Sequence, residues 1–379
     1  MRGILLIGWQ ESTGFAEEKV GASGQELSRG RRKTVMSKRP GAPEVTARPT
    51  IIDVARLAGV SPATVSNALN ERPNVEEVTR RKVQAAVQEL GYTPNLRARR
   101  LRTGRADTIA IFSSMSFAVS GGRARLGFTM EIAATAAVRS LEKGMALILV
   151  PPMNSGHSPF HDLHIDGALV VEPQEDDPDI AVLKRRGIPV VSIGRQLDKG
   201  VPYVDIRQYD SAMMLIEHLY RQSSINIALI VGAQPRYTHR QTEQAYNDFM
   251  RRHGGKGIVR CVDEAGGEQA AYAAARELLT RHRTIDALFV SVDAFAVGAT
   301  RAAADLGIDI PGKLKLATRY DGVLARECDP PLTSLNLHLD ELATLGVELL
   351  FEHISQGKAR SSIIGPAATL VVRRSTETV

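Results

Sequence analysis

The chain has 379 residues, enough for two or three domains with cores of their own, and its 43% hydrophobic and 24% charged content is that of an ordinary globular protein. No apolar run approaches the roughly 20 residues that span a bilayer, and two cysteines far apart, Cys261 and Cys328, make neither a disulfide framework nor a zinc pattern. The net charge of +6 is unevenly placed: residues 48–105 hold eleven Lys/Arg against five Asp/Glu, and everything after residue 105 is mildly acidic.

A basic module on a near-neutral body calls for a polyanionic partner, most simply nucleic acid. The cysteine usage fits a reducing compartment, with both thiols expected as packing residues. Residues 1–48 lack periodicity and cluster Gly, Ser, Arg and Lys, so they read as a disordered extension. ILLIGW is too short for a signal-peptide core and polar residues follow it, which makes the cytoplasm the expected location. A further expectation is that translation starts at Met36, so that a basic MSKRPGAP arm leads into the first helix.

TIIDVARLAGVSPATVSNALN, residues 50–70, breaks into two short helices. Thr50 with Asp53 three residues on is a capping-box pattern, and Ile51, Val54, Ala55 and Ala58 follow at helical spacing. Gly59 suits a left-handed helix end. Ser61 then caps a second helix with Pro62 at its first position. Val60, Val65 and Leu69 face inward, and the pair makes a helix-turn-helix. Its outward face is Pro62, Ala63, Ser66, Asn67 and Asn70: small residues for close approach, Ser and Asn for hydrogen bonds. With Thr50, Ser61 and Thr64 at the helix starts, these are the expected DNA contacts. A third helix follows in VEEVTRRKVQAAVQELGY, with Val83, Ala86, Val87 and Leu90 as its stripe and Gly91 as its stop. Next, TPNLRARRLRTGRAD places Ala98 and Leu101 on one face among Arg97, Arg99, Arg100 and Arg102. Alone this segment is too short and self-repelling for a helix; phosphates would relieve the repulsion.

Residues 50–105 resemble the headpiece of the lactose/galactose repressor (LacI/GalR) family, through TIxDVAxxAGVSxxTVSxxLN and TRxxVxxAxxELGYxPNxxARxLRxG. The resemblance implies a hinge helix over 95–102. It makes Leu101 a wedge in the minor groove at the operator centre, with Ala98, Arg99 and Arg102 beside it. The family usually has Arg after TVS; here Asn67 stands there, suited to adenine rather than guanine, so the half-site is expected to differ.

From residue 108 the chain alternates strand-like runs (TIAIF, MALILV, GALVVE, PVVSIG, NIALIVG, DALFVSV, KLKLAT) with amphipathic segments such as MEIAATAAVRSLEKG and QAAYAAARELLTRH. That is the pattern of parallel sheets with helices on both faces, and about a dozen strands imply two lobes with a ligand cleft at the strand carboxyl ends. The resemblance extends here to the family's periplasmic-binding-protein-like core. It implies that Asp293 and Asp321 touch effector, with Arg195, Arg319 and Glu175 as further candidates. The bland alternative is that an Asp at a strand end caps the next helix. Sugar-binding members carry an Arg three residues before a Gly-aromatic pair; RQTEQAY has Thr242 there and Arg240 two residues early. The effector class thus stays open between a sugar, a nucleoside, an amino-acid-like anion and none.

No Walker loop, GxSxG or HExxH is present, so no enzyme is expected. His157, His161 and His164 in HSPFHDLH have a spacing that could hold a metal on a helix, but the Ser-Pro between the first two favours a turn, and no metal or cofactor is expected. The expected fold is an all-α helix-turn-helix headpiece (49–93) and hinge helix (94–106), then a two-lobed α/β periplasmic-binding-protein-like (type I) domain (107–379) for effector binding and dimerisation. The expected function is a homodimeric repressor of double-stranded operator DNA under control of a sugar or nucleoside-like effector. The rivals are an architectural DNA-binding protein and a solute-binding protein.

Overall fold

The computed structural model describes residues 49–93, 104–120, 127–150, 163–196, 200–355 and 359–377. The extension with Met36, the segment holding Ala98, Arg99, Leu101 and Arg102, and His157 and His161 lie outside the described residues. The chain divides into two units, Met1–Pro94 and Asn95–Val379.

The first unit carries α1 (Ile51–Ala58), α2 (Pro62–Leu69) and α3 (Glu77–Leu90). Thr50 and Asp53 form the reciprocal capping box: the Asp53 amide donates to Thr50 Oγ1 (3.4 Å) and the Thr50 amide to Asp53 Oδ2 (2.9 Å). Gly59 ends α1 at φ 66°, a conformation open to it because it has no Cβ, and the chain turns at once into α2. Val54, Val65 and Val83 are fully buried where the three helices meet, and Ala55, Ala68 and Ala86 let them approach closely. Arg80 holds the α2–α3 loop by donating to the Arg72 carbonyl (3.3 Å).

The second unit has two six-stranded sheets. The first orders β11 (Ser362–Ile364), β5 (Tyr203–Asp205), β4 (Val190–Ile193), β3 (Gly167–Val171), β1 (Thr108–Ser113) and β2 (Ala146–Val150). The second orders β12 (Thr369–Val371), β10 (Thr333–Asn336), β9 (Lys315–Tyr320), β8 (Ala287–Val290), β6 (Ile227–Gly232) and β7 (Ile258–Val262). The central strands β1, β3, β6 and β8 are buried along their whole length, as strands covered on both faces must be. The helices are α4 (Phe117–Ser120), α5 (Gly127–Glu142), α6 (Pro178–Arg185), α7 (Gln208–Arg221), α8 (Tyr237–Arg252), α9 (Gly267–Arg281), α10 (Asp293–Asp305), α11 (Val323–Glu327) and α12 (Leu339–Ile354).

The chain passes between the lobes three times: after β5, after β10 and between β11 and β12. Arg207 (φ 52°) and His338 (φ 50°) turn the first two crossings into α7 and α12. The amide of each donates to a side chain two residues back, Asp205 Oδ1 (2.8 Å) and Asn336 Oδ1 (2.9 Å). The Gly365 amide ties the third crossing to the first through the Asp205 carbonyl (2.8 Å). Pairing is parallel, as the β-α alternation led one to expect, except between β10 and β12, which run antiparallel. Both sheets aim their carboxyl ends at the seam, so a chain that runs on from β11 across the seam enters the second sheet against its strands. Cys261 departs from expectation: it is exposed on edge strand β7, while Cys328 packs beside the second lobe's core.

Candidate DNA-reading helix and inter-lobe cleft

On α2 and its C-cap, Pro62, Ala63 and Asn70 are exposed and Thr64, Ser66 and Asn67 half-buried, and by helical spacing Pro62, Ala63, Ser66, Asn67 and Asn70 share one face. Ser61 Oγ accepts the Thr64 amide (3.1 Å) and its carbonyl the Val65 amide (3.0 Å), and Pro62 has no N–H, so Ala63 supplies the first-turn amide left for a partner. The first turn holds no acidic residue, so its partial positive charge is uncompensated and suits a phosphate. The Asn70 side-chain amide donates to the Ser66 carbonyl at 2.5 Å, which leaves its oxygen for a partner. Thr50 spends its hydroxyl on Asp53 (2.7 Å), and that bond, with the Thr50 amide, holds the Asp53 carboxyl below its ordinary range.

In the second unit the strand ends of both lobes converge on a buried ionic cluster. Arg236, the residue before α8, is 1% exposed. Its Nη1 donates to the Glu172 carbonyl and its Nη2 to the Ser114 carbonyl (2.6 Å), both on the first lobe. Nη2 also lies 3.5 Å from Glu264 Oε2 in its own lobe. Arg319, at the end of β9, reaches across to pair with the Glu172 carboxylate and lies over the Phe128 ring of α5, 5.6 Å from its centroid. Phe128 meets Tyr320 edge-on at 5.2 Å. His239 Nε2 is 3.4 Å from Glu264 Oε1, and its Nδ1 bonds the Gln234 carbonyl (3.0 Å).

Burial pushes the Glu172 carboxyl up, but the charge and hydrogen bond of Arg319, with the charge of Arg236, pull it below its ordinary value. Burial raises Glu264, and Arg236 offsets only part of that. Burial and the charge of Arg236 push His239 down to about 4, so it is neutral at physiological pH. Burial lifts Asp293 to about 6 although the Ala294 amide donates to it. Gly232, at the end of β6, has no side chain because Glu264 and His239 fill the space a Cβ would need.

The five residues named for the effector from sequence fall in three places. Arg319 belongs to the cluster, and Asp293, first residue of α10, is close enough to feel its charge. Arg195 and Glu175 lie along the seam: Arg195 is exposed and packs over the Tyr203 and Tyr237 rings (5.5 and 5.1 Å), while Glu175 pairs with Arg240. Asp321 is taken by Arg373 Nη2 (2.6 Å) and the Ser334 hydroxyl (3.0 Å). Thr242 is buried and accepts from Gln208 Nε2 (2.8 Å) while donating to the Thr238 carbonyl (2.9 Å). Glu172, Arg236, His239 and Glu264 were not anticipated; the one local signal is a charged residue directly after an apolar strand, as in GALVVE. Among the described residues no group of three His, Cys, Asp or Glu could hold a metal.

A helix-turn-helix unit joined to a two-lobed core with an inter-lobe cleft defines a ligand-responsive DNA-binding regulator. Comparison with known proteins gives the family. Residues 50–95 match the model for bacterial regulatory proteins of the lacI family, and residues 216–376 that for a periplasmic binding protein-like domain. The chain is 30% identical over 324 residues to the HTH-type transcriptional regulator CelR of Thermobifida fusca, covering 81% of this chain and 92% of that one. It is 28% identical to the ribose operon repressor of Escherichia coli K12, covering 81% and 93%. A structure of a CelR–cellobiose complex superposes with TM-score 0.64 at 28% identity, covering 86% of this chain and all of that one. The lac repressor dimer on operator shares the fold, with TM-score 0.73 at 24% identity over 87% and 99% of the two chains. The chain belongs to the LacI family of bacterial transcriptional regulators; it is a DNA-binding regulator and not an enzyme.

Proposed function

We propose that this regulator is a cytoplasmic, homodimeric repressor whose operator affinity is set by a small molecule, sugar or nucleoside-like, bound between the two lobes. One headpiece presents one reading helix, and a two-fold operator needs two. The observation that carries the reading is the three-fold crossing of the seam. Two lobes that share their chain at three turns can change their mutual angle without unfolding, and a ligand that prefers one angle shifts DNA affinity by a coupling energy of about 1–3 kcal/mol. The cellobiose complex of CelR and the ribose operon repressor's name support a sugar. Thr242 argues that such a sugar is not gripped as in members with Arg at that position, because its hydroxyl is already engaged inside the protein.

The proposed DNA contacts are Thr50, Ser61, Pro62, Ala63, Thr64, Ser66, Asn67 and Asn70, with Ala98, Arg99, Leu101 and Arg102 of the hinge segment. For the effector, Arg319 and Asp293 are favoured by their place in the cleft and Arg195 and Glu175 by theirs at the seam, while Asp321 contributes only if Arg373 lets it go. The test is selection of bound duplexes from a random pool, followed by a screen of sugars and nucleosides against the selected site. Enrichment of a palindrome whose binding responds to one compound supports the reading; a motif without two-fold symmetry removes the homodimeric repressor.

A further inference from the structure

The Ser114 and Glu172 carbonyls lie just past the ends of β1 and β3, where the sheet ladder no longer supplies donors. In α/β folds ligands bind in the crevice outside the strand carboxyl ends, where these two carbonyls lie. Here the donor is part of the protein. The Arg236 fork satisfies one carbonyl with each terminal nitrogen, and both carbonyls belong to the opposite lobe. The planar fork gives each carbonyl its own nitrogen, whereas an ammonium must serve both from a single atom on a shorter side chain. Arg319 makes the second cross-lobe link, to the Glu172 side chain. Glu172 itself is held at φ 48°, an unfavourable conformation for a residue with a Cβ, and it is 2% exposed. A buried, ionised residue in a strained conformation persists only where its surroundings fix it, and its partners come from both arginines. Beside the cluster the backbones join as well: the Glu175 amide donates to the Pro235 carbonyl at 2.8 Å, and Gln174 forms an antiparallel bridge with Arg236.

We propose that Arg236 is an internal latch: its guanidinium occupies the Ser114 and Glu172 carbonyls at the seam and holds the two lobes together. Arg236 is a positioning residue, acting on DNA binding only through the lobes. An effector reaches the Ser114 and Glu172 carbonyls only by displacing the guanidinium, so effector entry and release of the latch are one event. The latch is a feature of the chain itself and stands whatever the effector is.

The test is hydrogen exchange of the full-length protein without effector, read at the Glu175 amide, whose bond crosses the seam. Core amides in β6 and β8 report global stability. Arg236→Lys keeps the charge but replaces the two-nitrogen fork with a single nitrogen on a shorter side chain. It is expected to speed exchange at Glu175 at least tenfold and leave the core amides unchanged. Should Arg236→Lys fail to fold, Arg319→Lys breaks the second link and is expected to act in the same direction. Arg240→Gln, which removes the pair of an exposed arginine with half-buried Glu175 at the same seam, is expected to change Glu175 exchange by less than threefold. Unchanged exchange at Glu175 in a folded Arg236 or Arg319 variant overturns the latch. So does exchange that rises equally at Glu175, β6 and β8, which marks plain destabilisation. Operator affinity of the same variants separates this proposal from the allosteric reading: faster Glu175 exchange with unaltered affinity upholds the latch and refutes the coupling of lobe closure to DNA.

Discussion

Acidification sets two buried groups of the cleft against each other. Burial and Arg236 hold the His239 pKa down to about 4, whereas a histidine in an unfolded chain takes its proton near pH 6.5. The folded value is the depressed one, so the stability it carries is complete above pH 6.5 and is lost as pH falls towards 4. At about 1.4 kcal/mol per pKa unit the full loss is about 3 kcal/mol, of which about 2 has gone by pH 5. Asp293 has the opposite sign. Its folded pKa is raised to about 6 by burial, so the stability it carries is present below the unfolded value near 3.9 and is lost as pH rises through 6. Between pH 7 and 5 it returns about 1.4 kcal/mol. His239→Asn should therefore gain about 2 kcal/mol relative to the wild-type protein on going from pH 7 to 5, and Asp293→Asn should lose about 1.4. Urea unfolding of the two-lobed core at pH 7, 6 and 5, with the three proteins compared at each pH, cancels the remaining charges, including Glu172, Glu264, Arg236 and Arg319 around His239. Three parallel profiles would refute the burial argument for both residues.

Asn67→Arg is expected to change the preferred base at one position of each half-site, towards guanine, read by selection from a random pool; an identical motif would take Asn67 off the base edges. Thr50→Ala removes the Asp53 amide's side-chain acceptor and should cost the headpiece about 1 kcal/mol, seen as a lower midpoint for the helical headpiece signal. Gly232→Ala brings a methyl group against Glu264 and His239 and should destabilise the core by roughly 1–3 kcal/mol; a wild-type midpoint would mean that the cluster gives way freely.

The headpiece was legible because each of its signals is local. Thr50 with Asp53, Gly59, and Ser61 with Pro62 do their work within four residues of themselves, and a neighbour far along the chain changes nothing. Central strands were legible for a related reason: burial on both faces leaves an unbroken apolar run such as IALIVG. The edges were not. β7, IVRCV, exposes Arg260 and Cys261, and β5 and β11 are three residues each, so no periodicity develops. Apart from Arg319, the cluster in the cleft was invisible for a stronger reason. Glu172 and Arg319 lie 147 residues apart, and an isolated Arg or Glu reads by default as surface.

Asp321 shows where a motif match stops being informative. The resemblance aligns it with a position that commonly meets effector, but alignment fixes a backbone place and not a partner. In this chain the partner is supplied from the C-terminal end. Ser375 and Thr376 are fully buried: the Ser375 hydroxyl donates to the Leu316 carbonyl (2.6 Å) and accepts from the Thr333 amide (2.8 Å), and Thr376 meets His218 (2.8 Å) and Thr333 (2.6 Å). That anchoring carries Arg373 to Asp321, where it also donates to the Ser334 hydroxyl and the Leu332 carbonyl. A half-buried carboxylate so paired is expensive to free, since removing one partner leaves the other charge uncompensated. Arg319, whose pair Glu172 sits on the opposite lobe, differs in kind: any change in lobe angle must break or keep that bond. Of the residues that sequence pointed to, Arg319, Glu175 and Arg195 therefore have energies that depend on the arrangement of the two lobes, because their partners Glu172, Arg240 and Tyr237 lie across the seam, and Asp321 has one that depends on the fold of its own lobe.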